Sequence, residues 1–232
     1  MKTSGGLVMG ILLVALAGYW LYDYLPPQYN PFAPLSPADP PTLVTRYKMR
    51  ALASQPEACM AVLREAQAQN MIAFRQAADT RGNCPLSGPV RVSSFGDVAL
   101  SSSFLASCPL ALSSAMYVHQ RAAPAAKEIT GSTLTRIDHL GSFACRNIYN
   151  RPGARLSEHA TAEALDISGF RLANGERLSV ARDWNNRAQK GTLLRQLFSD
   201  SCAFYGNSLG PEYNAAHADH FHLGMRGFGI CR

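Results

Sequence analysis

Several features that mark common protein classes are missing from this 232-residue sequence. Lysines and arginines are scattered singly, so the dense basic runs of a nucleic-acid-binding arm are absent although the net charge is +6. None of the six cysteines forms a C-x-x-C pair, which argues against a zinc finger or a thioredoxin-type site. No internal repeat occurs either. We therefore expect one folded domain and no nucleic-acid partner, while the positive charge suits another anionic partner such as lipid or a cell-wall polymer.

The N-terminal residues are apolar enough to indicate membrane targeting. Residues 5–22 carry no charged side chain, and these 18 residues are enough for a helix that crosses the hydrocarbon core of a bilayer. We predict an uncleaved transmembrane signal anchor over residues 1–25, with the rest of the chain exported. Because Ala15-Leu16-Ala17 resembles a signal-peptidase site, a cleaved signal peptide is the alternative.

A proline-rich linker is predicted over residues 26–43, and a folded domain over residues 44–232. Seven prolines fall within "PPQYNPFAPLSPADPPTLVT", which favours an extended spacer or a strap along the domain surface. An even number of cysteines in an exported chain indicates disulfides. We predict sequential pairing: Cys59–Cys84, Cys108–Cys145 and Cys202–Cys231.

Hydrophobic periodicity predicts an α+β domain whose core is an antiparallel sheet, made largely by the C-terminal half and flanked by helices. Apolar residues at helical spacing predict a helix from Glu57. A second helix should begin after Ser107 and end at Gly131, with a kink at Pro124. Strands are predicted at "STLTRIDHL", "ALDISGF" and "DHFHLGM".

His159 and Asp166 are the first candidate pair for chemistry. A continuous helix would separate them by about 10.5 Å along its axis, too far for two ligands that each lie about 2 Å from one zinc ion. A loop over "HATAEA" followed by a strand allows them to meet instead. In that strand Leu165 and Ile167 face the core, which leaves Asp166 on the opposite side.

The last predicted strand repeats this arrangement. Alternation in "HADHFHLGM" places His220 and His222 on one face and apolar residues on the other. If the two strands are neighbours, these histidines converge with Asp166 on one cleft and the loop brings His159 over it. Three protein ligands with one open position are typical of catalytic zinc. Spacing alone leaves a solvated, histidine-rich strand as the alternative.

Two stretches resemble motifs of a known peptidase group. "SEHATAEALD" is similar to the S-x-H-x-x-G-x-A-x-D motif of the LAS metallopeptidases, which include D-alanyl-D-alanine carboxypeptidases, and "HADHFH" resembles the H-x-x-H-x-H ending of murein endopeptidase. With "FACRNIYN" and "LGPEYNAAHADHFHL", nearly the whole exported chain resembles the bacterial extensin-like C-terminal domain family. Ala162 replaces the glycine of the LAS motif, and Gly224 stands where the extensin-like pattern often has aspartate.

The resemblance implies a LAS-like fold with a zinc (Zn2+) cleft, and a periplasmic peptidase held at the inner membrane by its N-terminal helix. Peptidoglycan or its stem peptides would be the substrate. The implied metal ligands are His159, Asp166 and His222, and the implied catalytic residues are His220, His217 and Arg146.

Other interpretations of these residues stay open. Arg146 and the nearby Arg155 could bind a substrate carboxylate or be solvated loop charges, and we expect Glu158 and Glu163 to be exposed loop charges. For the whole domain, the alternatives are a non-catalytic, zinc-containing cell-wall-binding module and a disulfide-linked structural protein without metal.

Overall fold

A computed structural model describes residues 4–227 and 229–232, in which helices pack around a mixed β-sheet. The α-helices are α1 (Ser4–Tyr24), α2 (Leu43–Ala53), α3 (Pro56–Ala68), α4 (Cys108–Tyr117), α5 (Ala123–Thr130), α6 (Val180–Asp183) and α7 (Gln189–Ser201). The strands are β1 (Ala73–Gln76), β2 (Val90–Phe95), β3 (Val98–Ala106), β4 (Leu134–Gly141), β5 (Ala164–Leu172), β6 (Arg177–Ser179), β7 (Asn207–Leu209), β8 (Phe221–Gly224) and β9 (Ile230–Cys231). The predicted α+β class is confirmed.

The apolar N-terminal segment folds as helix α1, along which many large apolar side chains are exposed. Within the described part of the chain, no helix is both long enough and apolar enough to cross a membrane. The transmembrane anchor predicted over residues 1–25 is therefore not supported. Residues 1–3 of that prediction lie outside the described residues.

The sheet has the strand order β1-β2-β3-β4-β5-β8-β7-β9, with β6 beside β5. Most neighbouring strands are antiparallel, but β3 runs parallel to β4 and β7 runs parallel to β9. The expectation of an antiparallel sheet is wrong at these two pairs. Between β3 and β4 the cause is the long helical connection, because a crossover of this kind lets consecutive strands run in the same direction.

The helical connection from β3 to β4 begins and ends where the sequence predicts. Ser107 caps α4 by accepting a hydrogen bond from the Leu110 N–H (3.4 Å), and Gly131 ends α5 in the left-handed conformation. A π-helical turn at Val118–Ala122 separates α4 from α5. Pro124 is the second residue of α5, two positions after the end of this turn. Because proline donates no N–H and crowds the preceding turn, this wider turn accommodates it at the predicted kink.

Strand β5 separates the hydrophobic core from the candidate site. Leu165 and Ile167 are buried in the core, as alternation predicts. Phe170 is buried there as well, after a shift in the register with β4 between Ile167 and Gly169. Asp166 lines a cleft on the other face. Because β8 pairs with β5 in a register that sets His222 opposite Asp166, the two predicted ligands lie side by side.

The proline-rich segment before α2 lies along the folded domain. Leu35 is buried within the hydrophobic core. The Lys48 ammonium group donates hydrogen bonds to the carbonyl oxygens of Pro27 (2.7 Å) and Pro34 (3.3 Å), so it fixes two points of the segment to α2.

Every cysteine of the chain lies in a disulfide. The pairs are Cys59–Cys108, Cys84–Cys145 and Cys202–Cys231. The third predicted pair is confirmed and the other two are wrong, because spatial neighbours here are not sequence neighbours. Helix α3 packs against α4, and the loop before β2 meets the segment after β4.

Ala162 turns the chain into β5 with a left-handed backbone. Its φ is 53° and its ψ is 35°, directly after the 3₁₀ turn Glu158–Thr161. The residue is fully buried, and its carbonyl oxygen accepts a hydrogen bond from the Ser107 N–H (2.8 Å). An L-residue with a side chain costs about 1–2 kcal/mol in this conformation, whereas glycine does not.

We expect Ala162→Gly to leave the free energy of unfolding within about 1 kcal/mol of wild type. Glycine removes the strain of the left-handed backbone, and this gain offsets the loss of a buried methyl group and the greater flexibility of the unfolded chain. Ala160 is another fully buried residue near this position, and its φ is not positive. Ala160→Gly should therefore lower the free energy of unfolding by about 1–2 kcal/mol. Equilibrium urea unfolding compares the two variants. Equal losses would contradict the proposed backbone strain.

Candidate metal centre

Three separate segments bring His159, Asp166 and His222 together. The 3₁₀ turn Glu158–Thr161 carries the first, β5 the second and β8 the third. One ligand atom from each residue lies within 4.8 Å of the other two, and all three residues are buried. The structure therefore brings together the three residues that the sequence singled out, although their role as metal ligands stays a prediction.

The His159 ring is held by a backbone carbonyl. Its Nδ1–H donates to the carbonyl oxygen of Ser142 (2.7 Å), which can only accept, so a neutral ring keeps its lone pair on Nε2. That Nε2 lies 3.2 Å from Oδ2 of Asp166. A lone pair and a carboxylate oxygen at this distance repel each other unless a proton or a metal ion lies between them.

His222 has a carboxylate oxygen near each ring nitrogen. Nδ1 lies 2.9 Å from Asp166 Oδ1, and Nε2 lies 3.4 Å from Glu158 Oε2. Burial alone would lower the pKa of His222, but hydrogen bonds and charges from Asp166 and Glu158 outweigh it and raise this pKa to about 9. Burial would likewise raise the pKa of Asp166, but hydrogen bonds from His159 and His222 hold it well below its usual range.

Glu158 is not the exposed loop charge that we expected. Its side chain is 15% exposed, and its carboxylate accepts hydrogen bonds from the Asn207 amide (2.9 Å) and the Arg226 backbone N–H (2.7 Å). Gly224 makes room for it, since a Cβ at that position would lie 2.6 Å from both carboxylate oxygens. Burial would raise the pKa of Glu158, but hydrogen bonds, foremost that from His222, lower it overall.

Arg226 joins the histidine-bearing turn to the end of β8. Its guanidinium donates to Glu163 Oε2 (2.8 Å), to the Thr161 hydroxyl (2.7 Å) and to the carbonyl oxygen of Leu156 (3.1 Å). Glu163, also expected to be a free loop charge, is therefore part of this brace. The sequence gives no local signal for it, because the partners lie more than sixty residues apart.

His217 and His220 lie beside the three predicted ligands. Nδ1 of His217 donates to Oδ1 of Asn214 (2.8 Å), and Nδ1 of His220 donates to Oδ1 of Asp219 (2.8 Å), so each neutral ring keeps an acceptor at Nε2. The Nε2 atom of His220 is 3.7 Å from Asp166 Oδ1. Burial, with the charges of His222 and His220, lowers the pKa of His217 to about 4.

The three predicted ligands line one cavity of about 590 Å³ together with His217, His220, Glu158 and Arg226. Arg146 and Arg155 also line it, from the segment between β4 and β5. At the rim, the Asn214 side chain donates to the Tyr149 hydroxyl (3.0 Å) and so joins this segment to the one that carries His217. The structure thus places Arg146, predicted to be catalytic, in the same cavity as the histidines.

The donor set has the composition that zinc prefers. Two imidazole nitrogens, His159 Nε2 and His222 Nδ1, converge with a carboxylate oxygen of Asp166, and three protein ligands leave one position open to water or substrate. The other nitrogen of each histidine faces an oxygen acceptor, as is usual for histidines that bind metals. These three residues could therefore hold the ion.

The pKa values predict how pH affects the metal-free protein. Because the folded-state pKa of His222 is about 9 and the ordinary value is 6.5, its stabilising contribution is fully present below pH 6.5 and is lost as pH rises through 9. Urea unfolding in a chelator should therefore show wild type more stable than His222→Gln at pH 6, by up to about 3 kcal/mol, and a smaller difference at pH 9.5. A difference that does not change with pH would contradict this coupling.

Comparison with known proteins identifies the chain by family. A family model described as "Extensin-like protein C-terminus" matches residues 57–232, which include every residue of the cavity described above. Neither a curated protein nor a solved structure matches the chain significantly. Because the family model covers most of the chain, the protein belongs to the extensin-like protein C-terminus family.

Proposed function

We propose that this protein is a zinc-dependent peptidase that cleaves peptides of peptidoglycan in the cell envelope. The observation that carries the proposal is the convergence of His159, Asp166 and His222 within 4.8 Å on the wall of one cavity. The resemblance of the two histidine motifs to those of LAS metallopeptidases adds to the support for this proposal.

Zinc bound by these three residues would polarise a scissile carbonyl and make a water molecule more acidic. The protein supplies the proton acceptor. We assign this role to His220, because its Nε2 lies 3.7 Å from Asp166 Oδ1 and Asp219 orients its ring. His217 contacts the ring of His220, with 5.4 Å between centroids, and supports it or faces the substrate.

Arg146 is proposed to bind the substrate rather than to transfer protons. It is exposed at the cavity wall, where a guanidinium can donate two hydrogen bonds to a carboxylate or to the oxygen that gains charge during cleavage. Three disulfides support a location in an oxidising compartment such as the periplasm, where peptidoglycan is the available polymer.

The test of peptidase activity uses purified peptidoglycan sacculi. Zinc-loaded protein should release soluble muropeptides, detected by liquid chromatography and mass spectrometry, and chelation should stop the release. His220→Ala should lower the rate at least about 100-fold, the usual scale for losing a general acid–base group. His139→Ala is the matched control, since His139 does not line the cavity.

Two outcomes would contradict the proposal. Sacculus binding by the zinc-loaded protein without any release would favour the non-catalytic cell-wall module. A protein that contains no zinc at neutral pH, and whose melting curve is unchanged by chelators, would favour a structural protein held by its disulfides.

Glu158 should influence zinc affinity although it is not a predicted ligand. By accepting the Nε2–H of His222 it keeps the lone pair of that ring on Nδ1, facing Asp166. We expect Glu158→Ala to weaken zinc binding about 10- to 100-fold, as measured by competition with a chromophoric chelator. Gly224→Ala should weaken it in the same direction, because the new methyl group would displace the Glu158 carboxylate.

Glu158→Gln keeps an acceptor oxygen and should recover part of the lost affinity. Glu163→Gln is the matched control, because Glu163 binds Arg226 and Thr161 but neither nitrogen of His222. If Glu158→Ala and Glu158→Gln both bind zinc as tightly as wild type and Glu163→Gln do, Glu158 does not orient His222.

A further inference from the structure

A second groove, of about 350 Å³, lies beside the candidate metal centre. Its walls come from β4, β5, β6 and α6, and from the residue directly before His220. The charged residues that line it are Asp138, Arg171, Arg177, Arg182 and Asp219. We call it the arginine groove.

Both carboxylates of the arginine groove already have partners. Asp138 accepts hydrogen bonds from Nε of Arg136 (3.0 Å) and Nε of Arg171 (2.8 Å), and Asp219 accepts one from His220 (2.8 Å). One carboxylate thus faces two guanidinium groups. Of these two arginines only Arg171 lines the groove, and because a guanidinium offers five N–H donors, most of the donors on Arg171 are left for another acceptor.

Two further arginines add to this excess of donors. The guanidinium groups of Arg177 and Arg182 have no hydrogen bond or ion pair to any residue in the described part of the chain. With Arg171, they put three positive charges around a groove that is lined by two carboxylates, so the groove carries a net positive charge. The groove therefore favours an anionic group that accepts several hydrogen bonds, such as a carboxylate.

The arginine groove continues from the metal centre along the same strand. Ser168 lines the groove and lies two residues after Asp166, so alternation places both on the face of β5 opposite the core. Asp219 lines the groove, and its neighbour His220 lines the metal cavity. At about 3.3 Å per residue, Arg171 lies roughly 16 Å along β5 from Asp166, the length of about five extended residues.

We propose that the arginine groove binds a free carboxylate on the part of a peptide substrate that extends away from the scissile bond. Where that bond lies rests on the proposed peptidase function, whereas carboxylate binding in the groove does not. Stem peptides of peptidoglycan fit this description, because they are short, extended and carry free carboxylates. The groove then selects substrates by charge at a distance of several residues from the metal.

The test measures binding without cleavage, so that it does not depend on catalysis. Full-length protein in a chelator is incubated with purified sacculi at low salt, and bound protein is quantified after sedimentation. Arg177→Gln/Arg182→Gln should weaken binding about tenfold, because two charge-assisted contacts are lost. The matched control is Arg64→Gln/Arg81→Gln, which removes the same charge from exposed arginines outside the groove and should bind like wild type.

Chemical amidation of the sacculus carboxyl groups provides the second arm. It should weaken wild-type binding about as much as the groove variant does, and should weaken the groove variant little further. Equal losses in the groove and control variants would overturn the proposal, since they would reflect net charge alone. Retained binding by the groove variant would overturn it too, as would unchanged wild-type binding to amidated sacculi. Carboxylate-dependent binding with no muropeptide release in the separate activity assay would uphold the groove and refute the peptidase.

Discussion

The buried carboxylate of Asp166 between two imidazole rings is the interaction on which the candidate site depends. A buried negative charge is costly unless it is paired and hydrogen-bonded, and here His159 and His222 approach its two oxygens. Neither histidine belongs to the same segment as Asp166. The fold must therefore bring a loop and a second strand to β5, and the pairing of β8 with β5 does this for His222.

Surrounding groups keep the two rings in place. The Ser142 carbonyl and the Glu158 carboxylate each face the ring nitrogen that points away from Asp166. Arg226 then ties the turn that carries His159 to the end of β8. Two histidines, an aspartate and their orienting partners thus form one connected network, and a divalent cation would replace protons at its centre.

Patterns within single segments predicted more of this arrangement than pairings between segments. Alternation over the first residues of β5 was enough to place Asp166 opposite Leu165 and Ile167, and Ser107 and Gly131 marked the ends of the long helical segment. The disulfide partners of Cys59 and Cys84 depend instead on which helices and loops meet in three dimensions. Glu158 was missed for the same reason, because its burial depends on Asn207 and Gly224 of other strands.

X-ray absorption at the zinc edge tests directly whether His159, Asp166 and His222 hold one zinc ion, as we propose. Protein loaded with one equivalent of zinc should show a first shell of two imidazole nitrogens and carboxylate or water oxygens at about 2.0–2.2 Å. Asp166→Ala should lose that spectrum. A first shell without imidazole, or the same spectrum in Asp166→Ala, would contradict the account.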